Sequence, residues 1–353
     1  MADQTETYLR YDTLAPEALS GKFDRNRKWL PPFAEQGAGA AEWPDPTAGQ
    51  ALDRAKGCLL GLAVGEAIGS AVEFLPRDSY DELTGMQGGG PLGIKPGEWT
   101  DGTAMALCLA RSLLASDTVE QYDFMERLQA WLTSAENTAG GRTLAVGETT
   151  RTAIESFIED DDPSAGSPLA EAAGNGSLIR QAPLAVFASR DRNTARFMSN
   201  KQSRATHATI ECLDACDLFM DQLLDALNGA DKAQTLRPRV IQLSPNLLAI
   251  NGGEWRDKAR DDLRSSAYVV DTLDAAIWAV GHSSSFREAV LLAANLGGDA
   301  ASVAAVAGQL AGAIYGCNAI PEDWQAGVAA GETLKALAEE LLAAGNTSFP
   351  ASG

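Results

Sequence analysis

Two short segments far apart in the chain carry the residue types that could do chemistry. Trp99-Thr100-Asp101-Gly102-Thr103 and Gly297-Gly298-Asp299-Ala300-Ala301-Ser302 each set a carboxylate close to a hydroxyl. Hard oxygen donors of this kind suit Mg²⁺, which takes carboxylates and keeps several of its waters. Each segment runs into a stretch of small apolar residues, Ala104–Ala115 and Val303–Tyr315, that reads as a helix. A carboxylate at such a helix start faces the positive end of the dipole and unpaired backbone N–H groups. If the two starts converge, each supplies half of a divalent-cation cage: Thr100 and Asp101 from one side, Asp299 and Ser302 from the other.

Other segments have two readings each. Gly174-Asn175-Gly176-Ser177 is a glycine-rich turn opening a helix, which either caps that helix through Ser177 or offers its N–H groups to a phosphate. Gly140-Gly141-Arg142 is a second glycine turn with the same alternatives. His207 is either a satisfied core histidine or a cleft residue, and His282 reads as part of a surface loop. The five cysteines (Cys58, Cys108, Cys212, Cys216 and Cys317) lie in apolar stretches. No second pair completes a zinc site with Cys212 and Cys216, so reduced core thiols are expected.

The elements that must position these residues are helical. From Leu52 onward, Gly57, Gly61, Gly65 and Gly69 recur every fourth position on one helix face. A glycine inside a helix costs up to about 1 kcal/mol relative to alanine, so such a register needs a reason, and close approach of another helix is the natural one. Gly308, Gly312 and Gly316 repeat the spacing after the second acidic segment. The two glycine faces are therefore expected to pack together and to bring Glu73 near Asp101 and Asp299. Further helices are expected over Val119–Leu132, Thr143–Ile158, Ser203–Leu227, Arg237–Ala249, Asp261–Val280, Ser285–Asn295 and Glu332–Ala344, with a charged, proline-broken loop at 159–168. No alternating strand pattern is present, so the fold class is all-α, in one domain over residues 51–348.

Residues 1–50 differ in kind. They hold Pro31-Pro32, Pro44 and Pro46, six aromatic residues and a basic patch at Arg25, Arg27 and Lys28. A solvated tail is normally poor in aromatics, so this extension either wraps its own domain or serves as a partner-recognition arm. A net charge of −20 argues against nucleic acid, which needs clustered Lys and Arg. No signal peptide or run approaching a membrane span is evident, and a cytoplasmic, membrane-free protein is expected.

The motifs resemble those of the ADP-ribosylglycohydrolases, the dinitrogenase-reductase-activating-glycohydrolase-like proteins. Thr100-Asp101-Gly102-Thr103 is similar to their TDDT signature and Gly297-Gly298-Asp299-Ala300-Ala301-Ser302 to their GGDxDT signature. Gly57-Cys58-Leu59-Leu60-Gly61 through Gly65-Glu66-Ala67-Ile68-Gly69 and Glu73 resembles the GxxxGDALG…E opening, Gly174–Arg180 resembles GNGSLMR, and Thr206-His207 and Asp271–Ala276 follow in the family's order. The resemblance implies a compact helical domain, a dinuclear Mg²⁺ site, Glu73 as the catalytic acidic residue, and an ADP-ribose cleft lined by Gly140, Gly141, Asn175, Gly176, Ser177 and His207.

The departures set the functional expectation. Gly102 and Ala301 stand where the signatures carry a second Asp, Ser302 replaces Thr, Glu66 replaces the GDALG Asp, and Ala145 takes the place of the Asp in a DIG motif. Mg²⁺ depends on a few charged ligands, so at most one weakly held ion is expected, with Glu66 too far from Gly102 to substitute. The favoured expectation is a pseudoenzyme-like member that binds ADP-ribose or protein, such as an immunity protein against an ADP-ribosyltransferase toxin. The alternative is an active Mg²⁺-dependent hydrolase acting on ADP-ribosylated protein.

Overall fold

The computed structural model of the protein describes residues 45–349, which lie within one compact unit spanning Trp43–Gly353. Most of the proposed N-terminal arm, residues 1–44, is outside the described residues. The helices are α1 (Ala48–Gly69), α2 (Asp101–Ser116), α3 (Gln121–Ser134), α4 (Glu148–Asp160), α5 (Gly176–Ile179), α6 (Ala182–Phe187), α7 (Arg192–Arg204), α8 (Ile210–Leu227), α9 (Lys232–Thr235), α10 (Pro245–Gly252), α11 (Val269–Gly281), α12 (Phe286–Ala294), α13 (Ala300–Tyr315), α14 (Glu322–Gly327) and α15 (Gly331–Ser348). Among the described residues extended pairing is limited to three isolated bridges, so the fold is all-α as expected.

The centre of the molecule is the antiparallel pair α1 and α13. Gly57, Gly61 and Gly65 lie so close to the backbone of Gly312, Gly308 and Ala304 that a Cβ on any of them would collide with a carbonyl group, and Gly308 and Gly312 meet α1 in the same way. The expected glycine-face contact is therefore present. The helical cost of each glycine is offset by backbone-to-backbone packing that no larger residue permits. Gly316 meets α1 as well, since a Cβ on Gly57 would stand 2.7 Å from its carbonyl carbon, but it does so as the cap that ends α13 at φ +83.

α1 also corrects the membrane expectation. Ala48–Val72 is long and apolar enough to cross a bilayer, with mean hydropathy 1.3, but 94% of its most apolar window is buried within the fold. It is the central helix of the core, encased by α13, α12, α15 and α6.

Several expected helices start late or break. The predicted helix 203–227 is interrupted where α7 ends at Arg204, and α8 restarts at Ile210 with the Thr209 hydroxyl accepting from the Cys212 N–H at 3.2 Å. The helix expected from Thr143 begins only at Glu148, because Ala145 takes up left-handed backbone (φ +54). α10 begins at Pro245, whose fixed φ suits a first turn, rather than at Arg237. α11 begins at Val269 rather than Asp261. Ser266 draws the Tyr268 N–H to its own hydroxyl at 3.2 Å, a local bond that competes with helix. All five cysteines are buried and free, as expected.

Candidate active site

The end of α1 delivers two glutamates to two helix starts. Glu66 is 2% exposed and accepts four bonds at the start of α2: from Thr100 Oγ1 at 2.9 Å, the Gly102 N–H at 2.7 Å, the Thr103 N–H at 2.8 Å and Thr103 Oγ1 at 2.5 Å. The expectation that Glu66 lies too far from Gly102 is wrong. Positions far apart in sequence meet because α1 packs beside α2, and the longer glutamate reaches the space left by the missing side chain. A Cβ on Gly102 would stand 2.9 Å from Glu66 Oε1 and 2.4 Å from Ile179 Cγ2. The two departures from the family pattern are thus spatially coupled: one carboxylate remains where the signatures carry two, and it is the longer one that reaches the Gly102 and Thr103 N–H groups.

Glu73, 3% exposed, does for α13 what Glu66 does for α2. Its carboxyl accepts from the Ala301 N–H at 2.7 Å and lies in hydrogen-bonding contact with Asp299. Asp299, the residue preceding α13, accepts from Ser302 Oγ at 2.8 Å and from Asn175 Nδ2 at 2.6 Å. Asn175 also donates to Thr272 Oγ1 at 2.8 Å, which ties the glycine-rich turn and α11 to the second acidic segment. Asp101 accepts from the Gly147 N–H, so the 135–147 loop closes onto the first.

Charge crowding is the defining property of this site. Burial, then the charges of Glu66 and Asp299, push Asp101 well above the usual carboxylate range. Burial likewise raises Glu73, followed by the charge and hydrogen bond of Asp299 and the charge of Asp101, against a lowering contribution from the Ala301 N–H. Glu66 is raised by burial even against its four donors. Among the described residues no three carboxylate, imidazole or thiol groups form a ready coordination shell, since these side chains are turned to N–H and O–H donors. The chemistry of the donor set nonetheless fits a hard divalent cation: acidic oxygens that repel one another, joined by the hydroxyls of Thr100 and Ser302.

The remaining predicted site residues divide into an outer and an inner set. Gly140 and Gly141 are exposed, on a loop that Arg142 pins to Glu98 at 3.2 Å. Glu98 immediately precedes Trp99 and Thr100, so this loop borders the first acidic segment. Gly176 and Ser177, within the glycine-rich turn, and His207, packed against it, are all buried rather than surface residues. Ser177 accepts from Ser203 Oγ at 2.8 Å, and His207 Nδ1 pairs with Thr206 Oγ1 at 2.7 Å. Fully buried Arg180 donates to Gln202 and to Thr206 Oγ1 at 2.8 Å, holding the GNGSLIR segment against Thr206-His207. These buried residues support Asn175, which alone of the turn touches an acidic site residue. Sequence reasoning missed Glu98, Thr103 and Thr272 and set Glu66 aside. The available signal for Glu66 was the pairing of a lengthened acid with a lost side chain.

Residues 47–350 match the ADP-ribosylglycohydrolase family. The chain is 47% identical to the ADP-ribosylarginine hydrolase Tri1 of Pseudomonas putida over 292 residues, covering 83% of this chain and 78% of that protein. It is 41% identical to the ADP-ribosylarginine hydrolase Tri1 of Serratia proteamaculans, covering 94% and 93%. It is 33% identical to the ADP-ribosyl-[dinitrogen reductase] glycohydrolase of Rhodospirillum rubrum, covering 77% and 89%. A solved structure described as an ADP-ribosylglycohydrolase-related protein complex superposes with a TM-score of 0.75 at 38% identity, covering 84% of this chain and 99% of that one. With its acidic helix starts paired across a glycine-faced core, the chain belongs to the ADP-ribosylglycohydrolase family.

Proposed function

We propose that this protein is an active hydrolase that removes ADP-ribose from arginine side chains of modified proteins, rather than a non-catalytic binder. The observation that carries this reading is Glu66: its carboxylate accepts from the Gly102 and Thr103 N–H groups, so the first acidic segment keeps a second ordered carboxylate beside Asp101 although position 102 is glycine. Four carboxylates (Glu66, Glu73, Asp101 and Asp299) then stand at two helix starts. The two relatives at 47% and 41% identity, both named ADP-ribosylarginine hydrolases, support the choice of arginine.

Thr100, Asp101, Asp299 and Ser302 would hold one Mg²⁺, which supplies Lewis-acid stabilisation of developing charge at the ribose. Glu66 orients Thr100 and secures the start of α2, and Asn175 fixes Asp299. In this reading Glu73 takes the proton of the water whose oxygen bonds to the ribose carbon as the C–N bond to the guanidine breaks, and returns it to the leaving nitrogen. Its test is release of ADP-ribose from an ADP-ribosylated arginine protein with Mg²⁺. Turnover that Glu73→Gln abolishes is expected, and no turnover by the unaltered protein would reinstate the non-catalytic reading. An ADP-ribosyltransferase toxin as a bound partner, engaged through residues 1–50, is a separate proposal resting on the aromatic and basic composition of that segment.

A further inference from the structure

Phe74 departs from ordinary protein structure in two respects. It is a bulky residue in left-handed backbone (φ +64), and it is 62% exposed. Left-handed backbone at such a residue is strained, and the surrounding structure must hold it there. Here the clasp is visible. The Phe74 N–H donates to the Gly298 carbonyl at 2.7 Å, and the Gly298 N–H donates to the Leu75 carbonyl at 2.8 Å. Gly298 is itself at φ +62 and pressed so closely on the Ser265 carbonyl that it admits no side chain. The turn that buries Glu73 and the turn that leads into Asp299 are thereby locked together, and Phe74 is where the lock meets solvent.

The clasp sets the Phe74 backbone directly after Glu73 and against Gly298, the residue before Asp299, at the border of the two acidic segments. In ADP-ribosylarginine the group on the far side of the scissile bond is a guanidinium, which is planar and cationic, whereas the adenine lies beyond the pyrophosphate. Guanidinium groups stack favourably on aromatic faces, and the four nearby carboxylates favour a cation at this mouth.

We propose that Phe74 is the platform on which the guanidinium of the ADP-ribosylated arginine stacks, selecting this linkage over uncharged ones. The inference rests on the arginine-hydrolase reading above. It is tested on the full chain with Phe74→Ala, Phe74→Leu, Phe74→Trp and Phe74→Gly, by steady-state kinetics on ADP-ribosylarginine protein and by calorimetric binding of free ADP-ribose. The alanine and leucine variants should raise KM about tenfold while tryptophan preserves it, as loss of a cation–π contact predicts. ADP-ribose affinity should stay within about twofold, because this product lacks the guanidinium. Phe74→Gly should melt no lower than the unaltered protein, since it relieves the strained backbone. A wild-type KM in Phe74→Leu overturns the proposal. Equal loss of ADP-ribose affinity does so too, by placing the ring against the nucleotide, as does a lower melting temperature in Phe74→Gly, by making the ring part of the core. Absence of turnover in the unaltered protein defeats the hydrolase reading together with this one, whereas turnover with unchanged KM across the variants defeats this one alone.

Discussion

Restoring the family's aspartate at position 102 is the intuitive repair of this site, and the structure predicts that it fails. In Gly102→Asp the new Cβ would lie 2.4 Å from Ile179 Cγ2 and 2.9 Å from Glu66 Oε1. Crowding of this kind costs about 1–3 kcal/mol when neighbours must move. The added carboxylate would also face Glu66 at about 4 Å, a repulsion of about 4 kcal/mol at an effective dielectric of about 20. An acid at a helix start recovers only about 0.3–1 kcal/mol, and part of the repulsion is relieved by protonation. A net destabilisation of about 2–5 kcal/mol follows, which lowers Tm by about 3–8 °C in a domain of this size. Glu66→Asp alone withdraws the carboxylate from the Gly102 and Thr103 N–H groups and costs about 1–3 kcal/mol through unsatisfied donors. Together, Glu66→Asp and Gly102→Asp should destabilise less than the sum of the singles, with a coupling above about 1 kcal/mol. Urea denaturation of the four proteins measures the cycle, and Mg²⁺ titration calorimetry provides a second readout. A Gly102→Asp protein with unchanged stability and tighter Mg²⁺ binding would refute the coupling of these two positions.

Three further outcomes are expected. Burial, reinforced by the charge of Arg180, pushes His207 down to about 3. The unfolded state therefore binds the extra proton between about pH 6.5 and 3, so stability should fall as pH drops through that window, by at most about 5 kcal/mol; equilibrium unfolding of His207→Gln, with this slope missing, checks it. Gly61→Ala drives a Cβ into the Gly308 backbone and should cost about 3 kcal/mol or more, whereas Gly49→Ala, which meets nothing within 4 Å in the first turn of α1, should gain up to about 1 kcal/mol; thermal melts compare the two. Removal of residues 1–46, which keeps Thr47 to cap α1, should leave a folded, hydrolytically active core that binds an ADP-ribosyltransferase more weakly by several kcal/mol; unchanged binding of the truncated chain ends the arm proposal.

Much of the architecture is legible in the chain itself. Small-residue apolar runs set the helical class. The four-residue glycine spacing of α1 and α13 announced their contact, because only two facing glycine surfaces let backbones come so close. The positions of Asp101 and Asp299 at helix starts, and of Glu73 beside them, follow from the same pattern. Helix boundaries at 143, 237 and 261 were less legible, since periodicity continues through residues whose turn-forming backbone or side-chain bonds end the helix. What only the tertiary structure decided is the pairing of Glu66 with Gly102. Sequence separation measures distance along the chain, while a carboxylate responds to distance through space. Read in one dimension, the two substitutions are a lengthened acid and a lost one; folded, the longer acid from α1 reaches the space left beside Gly102 in α2. The strained exposure of Phe74 was hidden for the same reason, because the backbone bonds that hold it come from Gly298 at the far end of the chain.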